Sequence, residues 1–205
     1  VYVENKQIIV ALDGQKINVM PTEDIYIKGN HNLENALAAT AAAWVYGVKA
    51  EIIAESLRTF PGVEHRLERV AEKDGILYIN DSKGTNPDST IKALEAYDRP
   101  IVLIAGGYDK KSSLETLMPL IKQKVKKLVL VGATKEIFAQ AARNIGYGDY
   151  ILTADFPEAV SVACDQAQSG DIVMLSPACA SWDMFRNFEE RGKLFKELVL
   201  SRIKE

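Results

Sequence analysis

Four consecutive apolar residues, Ile172-Val173-Met174-Leu175, set the strongest constraint on how this chain can fold. A strand that is apolar on both faces must be covered on both, as in a parallel sheet sandwiched between helices. The run stops at Ser176-Pro177, and the small residues Ala178, Cys179, Ala180 and Ser181 follow. From Phe185 the period changes: Phe185, Phe188, Gly192, Phe195 and Val199 recur at helical spacing, with Arg186, Glu189, Glu190, Lys193 and Lys196 on the other side. The pattern predicts a buried strand, a loop of small residues and a helix over 184–203 with Asp183 as its cap. Such a loop lets a ligand approach the backbone, and the N–H groups of a helix start favour an anion. An ordinary strand–loop–helix connection has the same pattern.

The sequence upstream repeats this alternation. Strands are predicted at 67–71, 76–80, 101–105, 128–131 and 150–152, and helices at 87–97, 113–123, 135–145 and 156–168. This is the signature of an α/β domain with a mostly parallel sheet and helices on both faces. Pro61-Gly62 marks its boundary. Before it, strands 7–12 and 16–20 flank an Asp13-Gly14 hairpin turn. An alanine-rich helix then runs from Asn32 to about Tyr46, with Asn30 as its cap, and a second from Ala50 to Thr59. His31, Asn32 and Asn35 gather on the first turn, where spacing favours capping over a polar rim facing a ligand. The hairpin predicts a sheet with further strands elsewhere, and the start at Val1 within strand-like sequence suggests a piece of a longer protein.

Composition narrows the function. A net charge of −3 and a pI near 5.6, with no basic cluster interleaved with aromatics, argue against nucleic acid as a partner. The basic run Lys122–Lys127 reads as a solvated helix end. Two cysteines, Cys164 and Cys179, without CxxC spacing support neither a metal site nor a disulfide framework, so a reducing cytoplasm is the expected location. No stretch has the length of a membrane span, and no signal-peptide pattern opens the chain. With only His31 and His65, a Ser/His/Asp or Cys/His set is implausible. No G-x-x-x-x-G-K-[ST] and no G-x-G-x-x-G is present. What remains is a sheet edge. The loops Asp81–Asn86, Gly106–Lys110, Gly132–Thr134 and Ser176–Ser181 follow strand ends and offer Lys83, Thr85, Lys110 and Ser181 to one region. Such groups suit a carboxylate or a phosphate.

The motifs Gly29-x-His31-Asn32-x-x-Asn35-Ala36, His65-Arg66, Asp81-Ser82-Lys83-Gly84-Thr85-Asn86, Gly106-Gly107-x-Asp109-Lys110 and Leu175–Ser181 occur in that order. With Asp183-x-Phe185-x-Asn187-Phe188-x-x-Arg191-Gly192 they resemble the Mur ligases, over essentially the whole chain from Gly29 onward. The resemblance implies that residues 1–62 are the end of a central ATP-binding domain. Residues 63–205 would be a C-terminal Rossmann-like domain binding amino acid and nucleotide. It implies a cytoplasmic, monomeric enzyme of peptidoglycan precursor synthesis that activates UDP-N-acetylmuramoyl-L-alanine with ATP as an acyl phosphate, which the amino group of D-glutamate then attacks. It places Asn32, Asn35, Arg66 and Asp81 at the nucleotide, and Lys83, Thr85, Lys110, Ser181 and the backbone at Phe188 at D-glutamate. His31 and His65 would position their neighbours. ATP and magnesium would be held mainly by parts outside these residues, and no catalytic residue is expected here. Two positions depart from the family pattern. Gly84 stands where alanine or serine is commoner, implying a looser loop, and Tyr108 stands where some members carry an acid. Alternatives are a sister ligase, a folylpolyglutamate synthetase, or a non-catalytic binding module.

Overall fold

A computed structural model describes residues 1–12 and 14–204. The chain forms two compact units, Val1–Gly62 and Val63–Glu205.

In the first unit, β1 (Tyr2–Glu4), β2 (Gln7–Leu12) and β3 (Gln15–Pro21) form an antiparallel sheet in that order. Leu12 pairs with Gln15 across the expected hairpin, whose Asp13 lies outside the described residues. Ile8 and Met20 form a small core with Ile25, Ala36 of α1 (Asn30–Val45) and Ala54 of α2 (Ala50–Thr59). The entry to α1 differs from expectation. Gly29, at φ 100°, occupies the cap position, and no side chain caps the helix. That backbone conformation suits glycine, so Asn30 becomes the first helical residue. The buried Asn32 donates from Nδ2 to the Lys28 carbonyl at 2.8 Å, and Asn35 donates to Asn32 Oδ1 at 3.4 Å.

The second unit holds a six-stranded sheet. Its strands are β4 (Glu68–Lys73), β5 (Ile76–Asn80), β6 (Ile101–Ala105), β7 (Val125–Leu130), β8 (Tyr150–Leu152) and β9 (Ile172–Leu175). The spatial order is β4-β5-β9-β6-β7-β8, with β4 antiparallel to β5 and all other neighbours parallel. Successive side chains of a strand point to opposite faces. Ile101, Leu103 and Met174 therefore pack with α3 (Pro87–Glu95), α4 (Leu117–Lys124) and α5 (Lys135–Asn144). Val102, Ile104, Val173 and Leu175 pack with α6 (Phe156–Gln166) and α7 (Phe188–Arg202). The expected fold class is the observed one: an α/β, Rossmann-like domain whose central strand β9 is buried from end to end.

In the second unit two helix starts move. α4 begins at Leu117 rather than 113, and α7 begins at Phe188 rather than 184. Asp183 does not cap α7, because its Oδ2 accepts from the Ala133 amide at 2.8 Å. Asn187 is the cap, with Oδ1 accepting from the Glu190 amide at 2.8 Å. The basic run is not a solvated helix end throughout, since Lys126 and Lys127 lie on β7 and pair with Asp171 at 2.7 Å and Asp149 at 3.0 Å.

Candidate functional site

Parallel strands β5, β9 and β6 lie side by side, so the loops that leave their carboxyl ends emerge on one edge. Ligands of open α/β sheets bind at that edge. Backbone hydrogen bonds continue the ladder past the strands: Asp81 donates to Leu175 at 2.7 Å, Gly106 to Pro177 at 2.9 Å and Tyr108 to Ala180 at 2.9 Å. Close approach is possible because Gly107 has no side chain; a Cβ there would run into the Ala180 carbonyl. A fourth loop joins through the buried Thr134, whose Oγ1 accepts from the Gly107 amide at 3.0 Å. The loops carrying Lys83, Lys110 and Ser181 thus share one edge. Lys110 is exposed and lines a cleft with Ser112, Thr134 and Cys179, whereas Ser181 is buried.

Arg191 of α7 lies beneath this edge and is only 1 % exposed. Nε donates to Ser82 Oγ at 3.0 Å, Nη2 to the Ser82 carbonyl at 2.8 Å and Nη1 to the Cys179 carbonyl at 3.2 Å. One guanidinium therefore fastens the Lys83 loop to the Ser181 loop. Burial pulls it down to about 10, well within the range where it stays protonated at neutral pH. Ser82 Oγ in turn donates to the Phe188 carbonyl at 2.7 Å. The exposed Lys83 stands with Nζ 5.6 Å from the Phe188 ring centroid, and the Thr85 amide closes a turn onto the Lys83 carbonyl at 2.8 Å.

Arg66 is presented by a strained turn. His65 (φ 65°) and Leu67 (φ 45°) flank it in the left-handed region, which surrounding bonds must hold. His65 is buried, its Nδ1 is 2.9 Å from Asn80 Nδ2, and its carbonyl accepts from the Lys83 amide at 3.0 Å. Asn80 Nδ2 can only donate, so Nδ1 accepts, and burial lowers the pKa of the ring. The Leu67 amide donates to Asp81 Oδ1 at 3.2 Å. The other oxygen of Asp81 accepts from Ser176 Oγ at 2.7 Å. Asp81 is 5 % exposed, and burial pushes it up to about 6 against those two hydrogen bonds. The loop is tighter than glycine at 84 suggested. The Gly84 amide donates to the Asp81 carbonyl at 2.8 Å, and a Cβ there would strike Asp81 Oδ2 and come within 2.9 Å of Ser176 Oγ.

The grouping Glu64–His65–Glu68 has metal-like proximity. The Lys196 ammonium already bonds Glu64 at 2.6 Å and Glu68 at 2.9 Å, making it an ion-pair network instead. Asn32 and Asn35 belong to α1 of the first unit. Sequence reasoning assigned no role to Arg191, Asn80, Ser176 or Thr134. A signal for the first existed: positions 188, 191, 195 and 199 follow helical spacing, so Arg191 occupies a core position.

The family model described as "Mur ligase, glutamate ligase domain" matches residues 65–179. The chain is 53 % identical over 201 residues to UDP-N-acetylmuramoylalanine–D-glutamate ligase of Pelotomaculum thermopropionicum, covering 98 % of this chain and 44 % of that protein. The ligase of the same name from Thermoanaerobacter sp. (strain X514) is 50 % identical over 200 residues, 97 % of this chain and 44 % of that protein. The chain thus spans less than half the length of these curated relatives. Among solved structures, UDP-N-acetylmuramate-alanine ligase of Thermotoga maritima matches with a TM-score of 0.64 at 18 % identity, over 92 % of this chain and 40 % of that one. FolC of E. coli in complex with ADP matches with a TM-score of 0.65 at 18 % identity, over 100 % of this chain and 46 % of that one. These two likenesses are of fold.

Proposed function

Because this chain belongs to the Mur ligase family, we propose that it is the amino-acid- and nucleotide-facing part of an ATP-dependent ligase that joins D-glutamate to UDP-N-acetylmuramoyl-L-alanine. In that reaction the acceptor carboxylate takes the γ-phosphoryl group of ATP to give an acyl phosphate and ADP. The D-glutamate amine attacks the acyl carbon, the new C–N bond displaces phosphate, and the ammonium proton is lost to solvent or base. The relatives at 50–53 % identity, all named for this step, favour D-glutamate over the amino acids of sister ligases.

The observation that carries the reading is the shared edge of β5, β9 and β6, with Arg191 tying its loops together. D-glutamate brings two carboxylates. Lys83 and Lys110 supply ammonium groups, Thr85 and Ser181 hydroxyls, and the backbone amide at Phe188 a helix-start donor. Arg66 serves the nucleotide from its held turn, with Asn32 and Asn35 as the adenine-side contacts. Asp81, with both oxygens engaged, serves by holding Leu67 and so Arg66 in place. Magnesium neutralises phosphate charge in such transfers. The carboxylates Glu64 and Glu68 do not fit it, because each already holds the Lys196 ammonium.

We place the protein in the cytoplasm, as a monomer. No helix among the described residues is long and apolar enough to cross a membrane.

Calorimetry of the 205-residue chain with D-glutamate, L-glutamate and ADP tests the reading. Weak binding of D-glutamate in preference to L-glutamate, lost in Lys110→Ala, is expected. Equal heats for the two enantiomers, or no binding of either, would overturn it.

A further inference from the structure

The six-stranded sheet has a further place where neighbouring strands send the chain to opposite faces. β7 and β8 are parallel neighbours. From β7 the chain passes to α5, which packs on the Leu128 and Leu130 face, whereas from β8 it passes to α6, on the Val129 face. Loops that part in this way leave a crevice at the carboxyl ends of the strands, where open α/β sheets take ligands. The switch points beside β9 carry the site already described; the one between β7 and β8 has no role in it.

A cavity of about 570 Å³ lies there, within the size of small-molecule sites, and it shares no lining residue with the Lys110 cleft. Its walls are mostly apolar, built from Phe156, Pro157, Met184, Phe185 and Leu194, with the Phe156 and Phe185 rings edge to face and their centroids 5.1 Å apart. Glycine at 132 leaves room for this wall, since a Cβ there would come within 2.5 Å of Asp183 Oδ2 and 2.8 Å of Met184 Cε.

The charged groups of the lining set the ligand's sign. The Lys135 ammonium is committed to the Thr153 carbonyl at 2.9 Å, tying the two loops together. Asp155 Oδ1 caps α6 through the Glu158 amide at 2.9 Å, and Asp183 Oδ2 holds the Ala133 amide at 2.8 Å. The second oxygen of each carboxylate has no hydrogen bond among the described residues. Two carboxylates against one engaged ammonium leave an acidic, largely apolar crevice. An ammonium placed there gains charge-assisted hydrogen bonds, whereas an anion meets two like charges. We propose that the crevice between the β7 and β8 loops binds an amphipathic amine, with its flat apolar body on Phe156, Phe185 and Leu194 and its ammonium on Asp155 and Asp183. This site goes beyond the ligase reading and does not rest on it.

Tryptamine is the probe, with indole-3-propionate as an anion of similar shape, each titrated into the 205-residue chain by heteronuclear NMR. Tryptamine is expected to shift the amides of Gly132, Ala133, Phe156 and Phe185 saturably, with a Kd below about 1 mM, and indole-3-propionate to bind at least about tenfold more weakly. Asp155→Asn keeps the cap, because its amide oxygen accepts from Glu158, but removes the charge; it should weaken tryptamine at least about fivefold. The two-probe comparison uses the unaltered chain, so it decides the matter even where the variant fails to fold. Equal binding of both probes, or no saturable shift of those amides, would overturn the proposal. D-glutamate added to the tryptamine-saturated chain should still shift the amides of Lys83 and Lys110. Its failure to do so in the absence of tryptamine as well would count against the ligase reading and leave the amine site standing.

Discussion

Arg191 and Ser82, 109 residues apart in the chain, are joined twice: Nε meets Ser82 Oγ at 3.0 Å and Nη2 meets the Ser82 carbonyl at 2.8 Å. The guanidinium is buried and bonds the Ser82 and Cys179 carbonyls, so much of its worth lies in the carbonyls it satisfies. Lysine keeps the charge but loses the planar fork. Arg191→Lys should therefore destabilise the chain by about 2–4 kcal/mol in urea denaturation, because the carbonyls of Ser82 and Cys179 are left short of donors. D-glutamate affinity should fall at least about tenfold, since the Lys83 and Ser181 loops lose their common anchor. An unchanged midpoint with unchanged affinity would remove Arg191 from the account.

The sheet was legible in the sequence because its central strands β6 and β9 are apolar on both faces and the intervening helices are periodic; strand 172–175 is the clearest case. Boundaries set by tertiary partners were not. Asp183 looked like a cap, but the Ala133 amide, 50 residues away, takes its carboxylate and moves the helix start to Phe188. The same holds at the site. Lys83 and Lys110 could be placed on one edge because strand ends fix where loops emerge. The burial of Asp81 and Arg191 depends on which loops pack over them, and local sequence does not carry that.

Glycine at 84 tightens the loop in this chain rather than loosening it. Its Cα side faces Asp81 Oδ2 and Ser176 Oγ, which leave no room for a methyl group. Gly84→Ala should cost about 1–3 kcal/mol of stability by overpacking, despite alanine's lower unfolded-state entropy. A variant as stable as the parent by thermal denaturation would show that the loop yields freely.

Catalysis should be absent from the 205-residue chain by itself. Its sequence has no G-x-x-x-x-G-K-[ST] to cradle ATP phosphates, and the grouped carboxylates Glu64 and Glu68 are both engaged by the Lys196 ammonium. Coupled assays with ATP, D-glutamate and UDP-N-acetylmuramoyl-L-alanine should give neither ADP nor amide above background. A steady ADP release rate from the purified chain would contradict this.

The pH dependence of stability should carry the mark of Asp81. Burial raises its carboxyl from the ordinary 3.8 to about 6, so the folded chain holds the proton more tightly than the unfolded one. The stabilisation from this proton is fully present below about pH 4 and is lost as pH rises through about 6. Asn can accept from the Leu67 amide and meet Ser176 without titrating. Relative to the parent, Asp81→Asn should therefore gain stability between pH 4 and pH 7, by up to about 3 kcal/mol for a shift of this size. Comparing the two chains at each pH cancels every other titrating group. Denaturation curves whose separation stays constant from pH 4 to pH 7 would mean that Asp81 is ionised in the fold throughout, with the Leu67 and Ser176 hydrogen bonds outweighing burial.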